Sequence, residues 1–162
     1  MTALVAPVLY RTELIRQIRN PYTLAFTLAM PVAMYLLFGA SMSYASQSVG
    51  DANVSFYVMV SMGAYGTATA MSSLCSLAAS EVGQGGGGQL ALTPMTTLGY
   101  ALTKVLAAVS FAALAVVFVY AAGLATGAEA SDPWRWVAAA VITLGLGLVY
   151  GLFGLGVGLA FN

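Results

Sequence analysis

The sequence predicts an all-α membrane protein in which an N-terminal interfacial helix is followed by four transmembrane helices. Of the 162 residues, 60% are hydrophobic and only 6% are charged, with a mean hydropathy of +0.91, whereas soluble domains carry roughly 25% charged residues. A soluble domain of this size needs far more polar surface than this chain supplies. Four apolar stretches each approach or exceed the ~20 residues that a bilayer-crossing helix requires.

The composition also excludes several kinds of site. The chain has no histidine and a single cysteine, Cys75, which excludes a zinc site, a Ser-His-Asp triad and an internal disulfide. The net charge is zero and there is no basic patch, so nucleic-acid binding is not expected. No ionisable residue lies near the middle of a predicted span, which argues against a proton or ion pathway. We therefore predict no enzymatic activity, no metal and no cofactor in this chain.

Residues 1–20 are predicted to form an amphipathic helix that lies in the membrane interface. Apolar and cationic residues recur there at helical spacing. Glu13 and Arg16 are three residues apart and can pair. A secretory signal peptide is the alternative, but no small-residue cleavage site follows the cations. Asn20-Pro21 ends the helix, because a residue before proline disfavours the α region. The cations of this segment are Arg11, Arg16 and Arg19.

Residues 21–162 are predicted to form one transmembrane domain. Its spans cover about 22–42, 55–80, 98–125 and 135–160, and polar loops separate them at 43–53, 81–97 and 126–133. Pro31 predicts a kink in the first span, because proline removes a backbone hydrogen bond. Asn53-Val54-Ser55 matches the N-glycosylation pattern, but it abuts the second span, so we interpret the match as chance.

The fourth span is rich in glycine and is predicted to pack tightly against another helix. Gly147 with Gly151, and Gly154 with Gly158, each match the small-xxx-small pattern that lets helices approach closely. The sequence does not indicate whether the partner helix belongs to the same chain. The chain stops at Asn162, directly after this span, which leads us to expect a fragment or a shortened protein.

The polar segment 81–97 is predicted to be a cytoplasmic loop. Four of the five cations lie on the side of the membrane that holds the N-terminus and this loop, whereas Arg135 alone lies on the other side, beside Asp132. The positive-inside rule then predicts a cytoplasmic N-terminus, and we expect the protein to lie in the plasma membrane. Lys104 lies within about two turns of this membrane edge and is expected to snorkel. The glycines at 85–88 do not form a phosphate loop, because no lysine follows them; a flexible loop is expected.

Two sets of residues resemble the type-2 ABC transporter permeases over most of the chain. Arg19-Asn20-Pro21, Pro31 and Leu36-Leu37-Phe38-Gly39 are similar to the first span of that family. A second set of residues is similar to the first cytoplasmic loop of the same family, namely Glu81, Gln89-Leu90-Ala91-Leu92-Thr93-Pro94, Tyr100 and Lys104. The family pattern has six spans, so its last two are absent here. It also carries basic residues shortly after the glutamate, where this chain has Val82, Gly83 and the glycine run.

The resemblance implies the permease subunit of an ATP-driven exporter, forming the membrane pathway for an apolar or amphipathic solute such as a drug or a lipid. It implies a dimer with a second permease chain, and cytoplasmic ATPase subunits that bind ATP and Mg. The coupling contact to the ATPase would be formed by Glu81, Leu90, Leu92 and Pro94. The arginines Arg11, Arg16 and Arg19 would seat the interfacial helix on membrane lipid or against the ATPase, or simply set the topology.

Two other classes of protein stay open on the sequence. One is a four-span assembly subunit that transports nothing itself, which the glycine-rich fourth span allows. The other is an ion-coupled secondary transporter, which would need internal repeats and usually midplane ionisable groups. Neither repeats nor such groups are found between residues 22–80 and 98–160.

Overall fold

The computed structural model describes residues 7–81 and 96–160, except for the side chains of residues 97, 98 and 158–160. Over these ranges the chain forms five helices and one short β-hairpin. The helices are α1 (Pro7–Ile18), α2 (Pro21–Ala40), α3 (Val54–Glu81), α4 (Thr97–Ala125) and α5 (Trp134–Ala160). The strands are β1 (Ser48–Val49) and β2 (Ala52–Asn53). The predicted helical class is confirmed, and the hairpin lies inside the predicted 43–53 loop.

Helix α2 accommodates its proline with wide π-helical turns. The Asn20 side chain caps the start of the helix by accepting hydrogen bonds from the N–H groups of Tyr22 and Thr23, at 3.1 and 3.4 Å. A π-helical turn then precedes Pro31, with the Met30 N–H donating to the Ala25 carbonyl. Because a proline ring in a regular α-helix clashes with the carbonyl four residues back, the wider turn makes room for it. The π-helical turns cover Ala25–Ala29 and Leu36–Ala40.

The β-hairpin joins the loop that follows α4, and Asn53 holds the two together. The Asn53 Oδ1 accepts hydrogen bonds from the N–H groups of Phe56 and Glu129, and its Nδ2 donates to the Gly127 carbonyl at 2.8 Å. Ala52 forms a β-bridge with Ala130. The Asn53 side chain is thus buried and already hydrogen-bonded. These contacts support the interpretation of the glycosylation pattern at this position as a chance match.

Tyr35 links three helices near the hairpin. Its side chain is fully buried, and its hydroxyl forms hydrogen bonds with Ser55 Oγ at 2.8 Å and with Thr126 Oγ1 at 2.6 Å. These two residues belong to the first turn of α3 and the end of α4. The hairpin end of the helical bundle is therefore closed by a polar contact among α2, α3 and α4.

Helix α3 lies at the centre of the bundle and packs against α4 and α5. A Cβ atom at Gly147 of α5 would lie 3.1 Å from the Thr67 Cβ, and one at Gly151 would lie 2.8 Å from the Met71 Cε. At Gly154 a Cβ atom would meet the backbone of Ser72. Three of the glycines singled out in the fourth span thus face α3 of the same chain. The surroundings of the fourth, Gly158, lie outside the described residues.

Among the described residues, three helical segments are long and apolar enough to cross a membrane. They are Pro21–Ala40, Gly99–Ala125 and Trp134–Val157. Large apolar side chains on these helices are exposed, as with Leu152 at 71% of its surface, which indicates a lipid-facing exterior. The molecule is therefore a helical membrane protein. Helix α3 is 28 residues long, but its serine, threonine and glycine residues lower its hydropathy, so it is not among the three.

Candidate functional site

Charged side chains from three helices converge at the end of the bundle opposite the hairpin. We call the group formed by Glu13 and Arg16 of α1, Glu81 of α3, and Tyr100 and Lys104 of α4 the charged cluster. Glu81 is the last residue of α3, and the α4 residues lie in its first two turns. Two carboxylates and two cations meet there, so their formal charges cancel.

Lys104 is the centre of the charged cluster. Its Nζ donates a hydrogen bond to the Glu13 Oε1 at 2.5 Å and another to the Glu81 Oε2 at 2.6 Å. The side chains of Lys104 and Glu13 are each only 8% exposed. The expectation that Lys104 snorkels to solvent is therefore wrong. Two carboxylates bind its ammonium group inside the protein, which removes the need to reach water.

Arg16 and Tyr100 complete the hydrogen bonding of Glu81. The Arg16 guanidinium lies 2.5 Å from Glu81 Oε1 and 3.6 Å from Glu13 Oε1, so the predicted pairing of Glu13 with Arg16 is confirmed. The Tyr100 hydroxyl donates to Glu81 Oε2 at 3.0 Å. The Lys104 Nζ also lies 5.4 Å from the centre of the Tyr100 ring, within the range of a cation–π contact.

The charge states of Glu81 and Arg16 follow from these contacts. Burial alone raises the pKa of Glu81, but the hydrogen bonds from Lys104 and Arg16 outweigh it and hold that pKa below the ordinary value of 4.5. The hydrogen bond to Glu81 raises the pKa of the Arg16 guanidinium above its ordinary value, and this effect exceeds the opposing effect of burial. Both groups are therefore charged at neutral pH, and the contact between them is an ion pair.

The charged cluster is a structural junction between three helices. Among the described residues there is no group of three potential metal ligands, and the cluster contains no activated nucleophile. What the cluster does is join elements that are far apart in sequence. Residues 82–95 follow Glu81 and precede Thr96, whose Oγ1 caps α4 by accepting from the Gly99 N–H at 3.1 Å. The Tyr100–Glu81 hydrogen bond therefore ties together the two ends of the 82–95 segment.

One of the four predicted coupling residues belongs to the charged cluster, and the other three lie in the 82–95 segment. Glu81 is in the charged cluster, whereas Leu90, Leu92 and Pro94 lie outside the described residues. Arg16 also belongs to the cluster, but Arg11 and Arg19 are exposed and take no part in it. The contact between Glu13 and Lys104 was not predicted from the sequence. Lys104 alone carries a signal, because it is the single charged residue of the otherwise apolar helix α4.

The opposite end of the bundle carries a separate and more exposed ion pair. The Arg135 guanidinium lies 2.7 Å from the Asp51 carboxylate and 3.5 Å from the Asp132 carboxylate. Asp51 belongs to the hairpin turn, so this pair joins the hairpin to the start of α5. Exposed pairs of this kind contribute about 0–1 kcal/mol to stability.

Fold and cluster together define a helical membrane protein whose charged residues lie at the two ends of its bundle. No protein-family model matches the chain, and comparisons with curated proteins and with solved structures give no match.

Proposed function

We propose that this chain is the permease subunit of an ATP-driven ABC exporter. In this proposal it lines the membrane pathway for an apolar or amphipathic solute, such as a drug or a lipid, together with a second permease chain. A separate cytoplasmic ATPase subunit binds ATP and Mg. The observation that carries the proposal is the charged cluster, because it gives a force applied to the 82–95 segment a direct route into three helices.

The proposal includes a fourth crossing of the membrane, by α3. This helix begins beside the loop that follows α4, where the Asn53 N–H donates to the Glu129 carbonyl at 3.0 Å. It ends at Glu81, which contacts Lys104 near the start of α4. Helix α3 thus runs alongside the whole of α4. Gly63, Gly66 and Thr67 of α3 are buried against neighbouring helices, as small residues of membrane helices often are. The hydroxyls of Ser61 and Thr69 donate to carbonyls one turn back in α3 itself.

The distribution of charge supports a cytoplasmic location for the charged cluster. Four cations and two carboxylates lie at its end of the bundle, against one cation and three carboxylates at the hairpin end. The positive-inside rule places the more cationic end in the cytoplasm. An ATPase that binds the 82–95 segment there would act on Glu81 and Tyr100 at once, since these two residues flank the segment and are hydrogen-bonded to each other.

Reconstitution with a cognate ATPase tests this function. We expect the two chains to form a stable membrane complex, and Glu81→Gln to lower ATP-driven transport by about 5- to 150-fold, the range of a coupling free energy of about 1–3 kcal/mol. Glu81→Gln removes the charge that holds Arg16 and Lys104 but keeps the size of the side chain. Transport of an apolar dye into proteoliposomes, normalised to inserted protein, gives the measurement.

The matched control is Glu129→Gln, the same substitution at an exposed site near the hairpin, which should leave transport unchanged. Unchanged transport in both Glu81→Gln and Leu92→Ala would refute the coupling role. Failure of any ATPase to co-purify would instead favour an assembly subunit, and transport driven by an ion gradient without ATP would favour a secondary transporter.

A further inference from the structure

Helix α1 turns polar side chains inward and exposes an outer face on which apolar side chains alternate with cations. Its inner face carries Tyr10, Glu13 and Gln17, and packs on α4. The Tyr10 hydroxyl is hydrogen-bonded to the Ser110 Oγ at 2.8 Å, and both Glu13 and Gln17 are buried. A helix at a protein–water surface shows the opposite arrangement. The exposed apolar side chains of the outer face are therefore not used in packing within the described residues.

Two free cations lie on or beside the outer face, among exposed apolar side chains. Val8 and Ile18 are exposed over 78% and 52% of their surfaces, and Arg11 and Arg19 are exposed as well. The Arg19 N–H donates to the Ile15 carbonyl at 2.9 Å, so Arg19 lies one helical turn beyond Ile15. Apolar residues interleaved with exposed arginines are typical of a helix that lies in the headgroup region of a bilayer.

The chain's own carboxylates do not neutralise these two cations. The chain has five acidic residues, of which Glu13 and Glu81 already bind Lys104 and Arg16. The other three lie near the hairpin, at the opposite end of the bundle. Within the described ranges neither Arg11 nor Arg19 forms an ion pair, and the sequence of the 82–95 segment contains no acidic residue. No acidic side chain of this chain is therefore placed to neutralise them, and both are accessible to an anionic group of another molecule.

We propose that Arg11 and Arg19 bind the phosphate groups of anionic membrane lipids, while Val8, Ile15 and Ile18 enter the boundary of the acyl chains. Arg16 does not take part, since its guanidinium is held by Glu81. A lipid surface fits better than an acidic protein, because the same face exposes both apolar residues and cations. Only residues 19 and 20 separate α1 from the apolar α2, which keeps α1 at the membrane surface. The inference rests on the membrane location and is independent of any ATPase.

Lipid binding by the purified full-length chain tests this inference. The protein in non-ionic detergent is titrated with phosphatidylglycerol or with phosphatidylcholine of the same acyl chains, and bound lipid is counted by native mass spectrometry. We expect a preference for phosphatidylglycerol that weakens at high salt. Each cation near an anionic surface contributes about fivefold in affinity, so Arg11→Gln/Arg19→Gln should lower phosphatidylglycerol binding about 25-fold.

Two single variants serve as controls, since each removes one arginine that the inference leaves out of lipid binding. Arg16→Gln and Arg135→Gln should both keep the preference for phosphatidylglycerol. Because the substituted side chains are exposed, the double variant should unfold at the wild-type temperature in phosphatidylcholine. If it does not, Arg11→Lys/Arg19→Lys replaces it and should retain the preference.

Three results would overturn the inference. The first is a wild-type protein that binds both lipids equally, and the second is a double variant within twofold of the wild type. The third is a double variant that keeps its lipid preference but no longer recovers a cytoplasmic protein that the wild type recovers. That last result would assign the two arginines to a protein interface.

Discussion

Lys104 is buried where an unpaired charge would strongly destabilise the protein. Its contacts explain why a charged residue is tolerated at this position. A buried ammonium group loses its hydration and requires compensating hydrogen bonds. Glu13 and Glu81 supply two of these bonds from different helices. Hydrophobic residues in place of both partners would fill the same space without this cost, so the net contribution of the ion pair to stability is small compared with the cost of removing one partner alone.

Removal of the cation alone should therefore be strongly destabilising. In Lys104→Met, Glu13 keeps only the 3.6 Å contact with Arg16 and is left as a buried, poorly paired carboxylate. We expect a loss of about 3–5 kcal/mol in the free energy of unfolding, the usual cost of breaking a buried pair. Thermal and denaturant unfolding of the detergent-solubilised protein measures the loss.

Arg19→Gln is the control for this prediction, because it removes an exposed cation and should change stability by less than about 0.5 kcal/mol. The double variant Glu13→Gln/Lys104→Met should recover part of the loss, since both partners of the pair are then neutral. A Lys104→Met protein as stable as the Arg19→Gln protein would show that the charged cluster is not formed.

At the scale of residues, important single side chains could be predicted from the sequence more readily than the side chains that they contact. Glu81 was recognised as important, and the pairing of Glu13 with Arg16 follows from helical spacing. The contacts of Lys104 with Glu13 and Glu81 join residues 91 and 23 positions apart. No local pattern indicates such contacts, because they depend on how α1, α3 and α4 pack. Lys104 was therefore expected to reach solvent.

At the scale of helices, the glycines of α5 differ sharply in their surroundings. Gly154 is buried against the backbone of Ser72, whereas Gly156, two residues further on, has no neighbour within 4 Å of the position that a Cβ atom would take. A small residue at Gly154 lets α5 approach α3 closely. The same residue type at Gly156 serves no such contact.

This difference yields a matched pair of substitutions. Gly154→Ala should destabilise the protein by about 1–3 kcal/mol, because the added methyl group overpacks the interface with α3. Gly156→Ala should be neutral or stabilising by up to ~1 kcal/mol, because alanine is the better helix former and the site is open. Unfolding of the two variants in the same detergent tests this. Equal stability of the two proteins would contradict the packing of α5 on α3.

The helices themselves were largely predictable, and their packing was not. The apolar runs, and the end of the first helix predicted at Asn20-Pro21, gave helix ends that agree with the observed ones to within a few residues over the described ranges. The small-xxx-small pattern indicated a close contact without naming the partner, since any helix with a matching surface satisfies it. The hairpin at 48–53 was missed because its strands have two residues each, too few to show the alternation that marks a strand.

At the scale of the whole molecule, polar contacts close the bundle at both ends. Tyr35, Ser55 and Thr126 join α2, α3 and α4 near the hairpin, and the charged cluster joins α1, α3 and α4 at the other end. Between them the helices contact one another through apolar and small residues. Such an arrangement fixes α3 and α4 relative to each other. In the proposed permease, any large motion would then take place between this unit and the second permease chain.

The proposed topology of four crossings with a cytoplasmic N-terminus predicts which residues are reached from outside the cell. In a Cys75→Ala background, single cysteines replace Thr12, Ser48, Gln84 and Ser131. A membrane-impermeant maleimide should label intact cells at Ser48→Cys and Ser131→Cys only, because α2 and α4 both end on the hairpin side. Thr12→Cys and Gln84→Cys should react only after permeabilisation.

Gln84→Cys decides whether α3 crosses the membrane. If α3 were only a peripheral helix, positions 48 and 84 would be labelled from the same side, and α4 would have to begin at the hairpin end. That outcome would conflict with the contacts of Glu81 with Lys104 and Arg16 at the α1 end. The low hydropathy of α3 would then reflect exposure to water. Labelling of position 84 only from the cytoplasm would mean that burial between α4 and α5 is what allows so polar a helix to span.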